Sequence, residues 1–309
     1  MRTLVTGGAG FIGSHLTDAL LEAGHEVTVV DDLSRGQREH VDSRARFEQL
    51  SLNDAGLGAL VARVQPEIVL HEAAQVDVRN SVRDPLHDAH VNVLGTVNLL
   101  RACADSGVRR VVFASSGGAV YGDTEVLPTP EDVPCRPQSP YGTSKLAAEM
   151  YGAMFQRNGG PDFIALRYAN VYGPRQDPHG EAGVVAIFAT KLLAGETAVI
   201  NGDGRQTRDY VYVEDVVSAN LLAMSATGPA AFNVGTAIET DVNQLFERLR
   251  ILSGASASPV HGDAKPGEQR RSCVAIGRAA AELGWQPRHN LEDGLARTVG
   301  FFRRGLGGE

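Results

Sequence analysis

The sequence predicts an α/β fold: a doubly wound parallel sheet with a smaller C-terminal domain. Three observations carry this expectation. Short β-rich runs alternate with longer helical patterns over roughly the first half of the chain, and such units close parallel and right-handed. Runs such as Val27–Val30 contain little that must face water, which suits a sheet covered on both faces. A glycine-rich turn joins the first strand to the first helix.

Taken in order, Arg2–Thr6 is apolar and β-branched and predicts a strand; glycines follow, then Phe11–Ala23 with helical spacing. Glu26–Asp31 reads as a second, buried strand, and further strands are expected at Arg46–Gln49, Ile68–His71, Val111–Ser115 and Phe163–Tyr168. Between them lie helical patterns at Asp54–Val64, Pro85–Ser106 and Tyr141–Asn158. After about Asn170 the pattern loosens. Pro174, Pro178, Gly180 and Gly183 mark a long loop, followed by helices at Val184–Ala194 and Glu214–Ala226. The expected division is one domain over residues 1–170, to which later segments return, and a second mainly over 171–309.

Composition narrows the function classes. Hydrophobic residues make up 43% and charged residues 21% of 309, which is globular rather than disordered. The net charge is -8, from 29 Lys+Arg against 37 Asp+Glu, so nothing draws the chain toward nucleic acid or an anionic membrane. Cys103, Cys135 and Cys273 are odd in number and far apart. That argues against a disulfide framework and for a reducing, cytoplasmic setting. His71, His87, His90, His179 and His261 lack metal-ligand spacing, so no metal is expected. No apolar run nears the roughly 20 residues of a membrane helix, and the start reads as a strand and turn rather than a leader.

The first turn is Gly7-Gly8-Ala9-Gly10-Phe11-Ile12-Gly13, a G-x-x-G-x-x-G. Gly7 permits the tight turn, Gly10 lets backbone approach a pyrophosphate, and Gly13 allows close helix–strand packing. Phe11, Ile12 and Gly13 then present a helix N-terminus to the anion. Asp31 ends the second strand about 20 residues on, where a carboxylate accepts the adenosine ribose hydroxyls. Asp31 and Asp32 would repel a 2′-phosphate, which favours NAD over NADP; Arg35 softens that preference. The expected fold is thus Rossmann-type, with NAD on the first domain.

Pro140-Tyr141-Gly142-Thr143-Ser144-Lys145 opens a helical stretch, and Tyr141 and Lys145 share one face. A lysine ammonium beside the phenol, with a cationic nicotinamide near, favours the phenolate and lowers its pKa. Ser115 and Ser116 end the strand that begins at Val111, on the side where such sheets open to ligands. Ser116 reads as a hydrogen-bond partner for a substrate hydroxyl or as a cap of the strand–loop junction.

Six stretches occur in order: T-G-G-A-G-F-I-G-S, V-V-D-D-L-S-R-G, F-A-S-S-G-G-A-V-Y-G, S-P-Y-G-T-S-K, R-Y-A-N-V-Y-G-P-R and G-D-G-R-Q-T-R-D-Y-V-Y-V-E-D. With them the chain resembles the extended short-chain dehydrogenases/reductases, and among these the UDP-galactose (UDP-glucose) 4-epimerases, from Thr3 to about Trp285. The resemblance implies a substrate-binding C-terminal domain, a UDP-sugar substrate, and a homodimer formed through Pro85–Ser106 and Tyr141–Asn158. Residue by residue it implies Tyr141 as catalytic base, Lys145 as cofactor-binding lysine, and Ser116 or Ser115 as polarising hydroxyl. Asn170, Arg208 and Lys265 fall where the family contacts the sugar diphosphate. On the residues alone Arg208 and Lys265 also read as surface cations.

Departures from the family pattern matter too. Ser51 stands where an aspartate toward the adenine is usual. The Gly117–Tyr121 loop has one extra residue, which leaves Ser115 and Ser116 unranked. Ser272, near the place of a bulky tyrosine in some relatives, would leave room for an N-acetyl group.

The reaction follows by exclusion. Related dehydratases carry Asp-Glu before V-Y-G, and UDP-glucuronate decarboxylases a glutamate; here the stretch is Gly117-Gly118-Ala119, with no ionisable group. What remains is oxidation at C4 and re-reduction, a UDP-glucose/UDP-galactose 4-epimerisation through a 4-keto sugar, hence an isomerase. UDP-N-acetylglucosamine is the next substrate choice, and UDP-glucuronate, with Arg175 as a candidate carboxylate partner, the third. The remaining alternative is an NAD(P)-binding sensor, a class that typically loses the Tyr or Lys of the pair. His71 reads as a strand-end packing residue and Trp285 as a core anchor. Asn92 reads evenly as a buttress or a buried amide.

Overall fold

The computed structural model describes residues 1–178, 183–226, 230–264 and 269–306. In chain order the elements are β1 (Arg2–Thr6), α1 (Phe11–Glu22), β2 (Glu26–Asp31), β3 (Arg46–Gln49), α2 (Leu57–Val64), β4 (Ile68–His71), α3 (Val78–Arg83), α4 (Pro85–Ala89) and α5 (Gly95–Asp105). Next come β5 (Arg110–Ser116), α6 (Gly117–Val120), α7 (Pro140–Arg157), β6 (Asp162–Tyr168), β7 (Asn170–Tyr172), α8 (Val184–Leu193) and β8 (Val199–Asn201). The rest are β9 (Thr207–Tyr212), α9 (Val213–Ala223), β10 (Ala230–Val234), β11 (Glu239–Asp241), α10 (Val242–Ser253), β12 (Val260–Gly262), β13 (Arg271–Ser272) and α11 (Leu291–Leu306).

Seven strands form one parallel sheet in the order β10-β6-β5-β4-β1-β2-β3. The order runs outward in both directions from the β1–β4 pair, so the crossover helices part there and leave a crevice at the carboxyl ends of the strands. This is the expected Rossmann-type doubly wound sheet. Its apolar strands are buried because helices cover both faces: Leu4, Val69, Val111 and Phe163 pack with Leu57, Leu60, Leu99 and Leu100 on one side, and Val5, Val29 and Leu70 with Leu16 and Leu20 on the other. β10 lies far along the chain yet completes the sheet edge beside β6.

The first four strands fall at their expected bounds, and β5 and β6 each extend slightly. The pattern after Asn170 conceals more strand than expected. β7 and β13 pair parallel to β9, and β11 antiparallel. These strands are two to six residues long, too short for a periodicity to register. A further core of Phe188, Leu192, Tyr210, Tyr212, Leu245, Phe246 and Leu295 joins them to α8, α10 and α11. Trp285 is buried, and its indole N–H donates to the Asp215 carbonyl at 3.0 Å and the Ser218 hydroxyl at 2.9 Å, as a core anchor does. The expected helix Pro85–Ser106 is continuous but widens into a π-turn at His90–Leu94. Among the described residues no helix is long and apolar enough to cross a membrane.

Candidate active site

One large cleft, about 1070 Å³, opens over the carboxyl ends of β1, β2, β4 and β5 and is closed on its far side by residues of β7, β9 and β13. At one end lies the glycine turn. Gly7 has φ +69° and donates to Val30 O at 2.8 Å. A side chain there would meet the Ala73 backbone nitrogen at 2.6 Å, and one on Gly13 would strike the Gly7 carbonyl. The glycines therefore let α1 start directly against the sheet. No side chain caps that helix, so the N–H groups of its first turn face the cleft that Phe11, Ile12 and Gly13 line.

Asp31 ends β2 and lines the same end of the cleft. Its carboxylate accepts N–H bonds from Ala9 at 3.0 Å and Leu33 at 2.8 Å. Burial pushes its pKa up, and these two bonds pull it back. Ser51 borders the cleft nearby, between Leu50 and Leu52. An open glycine cradle, an uncapped helix start and an anchored carboxylate are what a dinucleotide's pyrophosphate and ribose require, so these residues fit NAD.

At the other end Tyr141 stands on the first turn of α7. Ser139 caps the helix by accepting from Gly142 N at 3.1 Å, and Pro140 presets the turn. The Tyr141 backbone N–H donates to the Ser81 hydroxyl at 3.2 Å, and Ser144 donates to Asp88 at 2.6 Å. One turn on, Lys145 donates to the Ala114 carbonyl at 2.8 Å, and its ammonium lies 5.8 Å from the centre of the Tyr141 ring. The Ser116 hydroxyl lines the cleft beside the Tyr141 phenol and favours its ionised form.

Burial pushes the Tyr141 pKa above the ordinary phenol value; Ser116 opposes the rise, while Asp88 and Glu72 add to it. The structure also separates the two serines. The Ser115 hydroxyl donates to Glu149, which Arg167 grips through both carboxylate oxygens at 3.0 and 2.7 Å. Ser115 thus serves a buried ion pair, and Ser116 meets Tyr141.

The far wall brings together Asn170 on β7, Arg208 on β9 and Ser272 on β13, and Ser272 is paired in register with Arg208. A Cβ on Gly118 would lie 3.7 Å from the Ser272 hydroxyl and 4.0 Å from Asn170 Oδ1. Arg208 donates to the Thr207 carbonyl at 2.7 Å. Lys265 lies outside the described residues. Arg175 borders the cleft and is paired with Asp18 at 2.8 Å.

The NAD dependent epimerase/dehydratase family matches this sequence over residues 3–235. The chain belongs to that family. A UDP-glucose 4-epimerase of Mycolicibacterium smegmatis is 50% identical over 98% of this chain and 99% of its own. The crystal structure of UDP-glucose 4-epimerase with UDP-glucose from Thermotoga maritima superposes with a TM-score of 0.98 at 48% identity, covering 99% of this chain and 100% of the other. That of a Thermus thermophilus UDP-glucose 4-epimerase complex with NAD gives 0.94 at 43% identity, covering 98% and 99%.

Three residues of this epimerase-family site escaped the sequence reading. Ser81 and Asp88 hold the start of α7 from α3 and α4; no motif marks such supports. Glu72 lines the cleft just past β4 and accepts from the Tyr168 hydroxyl at 2.9 Å. A carboxylate at the carboxyl end of a central strand was the signal that could have found it. Asn92 proves to be a buttress: it donates to Gln75 O and Asp88 and accepts from Gln75 N.

Proposed function

We propose that the protein interconverts UDP-glucose and UDP-galactose by 4-epimerisation, with NAD as a resident cofactor. One observation carries the reading: Tyr141 and Ser116 meet at one end of a cleft whose other end presents the glycine cradle and Asp31. The near-complete overlap with UDP-glucose 4-epimerases supports it.

Asp31 receives the adenosine ribose hydroxyls, the first turn of α1 the pyrophosphate, and Lys145 the nicotinamide ribose. NAD, when bound, takes up and returns the two electrons of the C4–H bond. Tyr141 Oη accepts the O4 proton, and the Ser116 hydroxyl polarises the same oxygen. Asn170 and Arg208 hold the diphosphate while the 4-keto hexose turns about it, and Lys265 serves as a further cation. Tyr141 then gives the proton back to O4 as C4 is reduced again from its other face. Gly117, Gly118 and Ala119 offer no acid for elimination, which supports epimerisation over dehydration.

Ser272, a small side chain on the sugar wall, favours UDP-N-acetylglucosamine as a second substrate. The Asp18–Arg175 pair counts against UDP-glucuronate. Residues 1–170 together with the returning β10 form the NAD-binding part, and most of 171–309 holds the nucleotide sugar. The active form is a homodimer through α4, α5 and α7, where Leu86 is 83% and Met150 66% exposed. The free cysteines suit a reducing cytoplasm.

The test is a UDP-sugar panel read by NMR of the anomeric protons, with no NAD added. Turnover of UDP-galactose to UDP-glucose is expected. A strict need for a free reductant, with a reduced sugar as product, would overturn the reading.

A further inference from the structure

Lys145 carries its charge in an unfavourable place. It is 3% exposed, and its ammonium lies 4.8 Å from the centre of the Phe113 ring. A buried ammonium needs a counter-charge as well as a carbonyl partner. Glu72 follows His71, which is paired in register with Phe113, and so stands beside the Ala114 carbonyl that holds the ammonium; with Asp88 on α4 and Glu149 on α7 it is one of three carboxylates acting on the lysine. Two are committed elsewhere. Asp88 accepts from Ser144, Gln75 and Asn92, and Glu149 is bridged to Arg167. Glu72 is fixed by a neutral donor instead. Its Oε1 accepts from the Tyr168 hydroxyl at 2.9 Å, and Asn220 donates to that hydroxyl at 2.7 Å. The remaining titratable neighbours are Tyr141 and His71, and His71 is held neutral by burial and by Lys145 itself.

We propose that Glu72 is a positioning residue: its carboxylate is the counter-charge that keeps the Lys145 ammonium protonated beside Tyr141. The proposal deepens the epimerase reading and rests on it for its catalytic consequence. Burial pushes Lys145 down to about 8 and Glu72 up to about 7, so both titrate near neutral pH, and the Glu72 charge opposes the lysine's fall.

Glu72→Gln keeps the side chain's size and its acceptor for Tyr168 but removes the charge. Without the negative neighbour the ammonium loses its proton at lower pH. The chain has three lysines, Lys145, Lys191 and Lys265, so lysine labelled with 13C at Cε gives three resonances in the holoenzyme. The Lys145 signal is the one lost in Lys145→Met. Its titration midpoint should fall by about one pH unit in Glu72→Gln and return in Glu72→Asp. The alkaline limb of kcat should move the same way, with KM for UDP-glucose little changed. A Lys145 midpoint that stays put in folded Glu72→Gln overturns the proposal. If that variant does not fold, Tyr168→Phe replaces it: loss of the hydroxyl lets Glu72 protonate more readily, so the midpoint must again fall. Wild-type protein that turns over no UDP-sugar would defeat the epimerase reading, while the lysine titration would still decide the role of Glu72.

Discussion

Ser115 and Ser116 are neighbours on β5 and face opposite ways, because successive side chains leave a strand on opposite sides. The first serves the Glu149–Arg167 pair and the second the phenol. Their alanine variants should therefore fail differently. Ser116→Ala should lower kcat roughly tenfold or more and leave the urea midpoint unchanged. Ser115→Ala should cost about 1–3 kcal/mol of stability, because a buried carboxylate loses a donor, and leave kcat near normal. Equal kinetic losses in the two would contradict the assignment. Tyr141→Phe removes the proton acceptor, so kcat should drop roughly 10²–10⁴-fold while NAD still co-purifies, measured by its absorbance after protein denaturation.

The start of α7 is positioned by elements other than itself. Ser81 on α3 receives the Tyr141 N–H, and Asp88 on α4 receives the Ser144 hydroxyl. Asp88 is fully buried and also accepts from Gln75 and Asn92. The π-turn at His90–Leu94 brings Asn92 into that network, and such turns often mark functional places in helices. Asp88→Ala strands three buried donors and should cost about 3 kcal/mol or more, read from chemical denaturation. Loss of α7 register should also raise KM and lower kcat together. A variant as stable as wild type would show that α7 is held by its other packing alone.

Two properties belong to the whole molecule. His71 lies inside the sheet between Thr6 and Thr96, 2.7 and 2.9 Å from their hydroxyls. Thr96 spends its proton on Asn92 O, so it must accept from His71 Nε2–H, and the neutral ring is satisfied. Burial lowers its pKa to about 3. The unfolded chain binds that proton near 6.5 and the folded chain does not. The stability this group contributes is therefore present above pH 6.5 and lost as pH falls toward 3. The wild type should lose up to about 1.4 kcal/mol per pH unit relative to His71→Asn across that window, read from urea curves at several pH values. The second property is assembly. Leu86→Asp on the exposed face of α4 should convert the proposed dimer to monomer in sedimentation, and an unchanged sedimentation coefficient would place the interface elsewhere.

Sequence alone determined what neighbouring residues decide among themselves. The run from Arg2 to Asp31 spells strand, glycine turn, helix, strand and acid within about 30 residues, and each signal is local: period, backbone freedom, spacing. Tyr141 and Lys145 were legible for the same reason, one helical turn apart on one face. Tertiary structure alone decided which serine meets the phenol, that burial raises the Tyr141 pKa, that Arg175 is paired with Asp18, and that Glu72 takes the Tyr168 hydroxyl. Each of these is a contact between segments tens of residues or more apart, or a pKa set by the dielectric such contacts create. Neither leaves a mark on adjacent positions: burial and long-range pairing arise only when the sheet and its crossovers close around them.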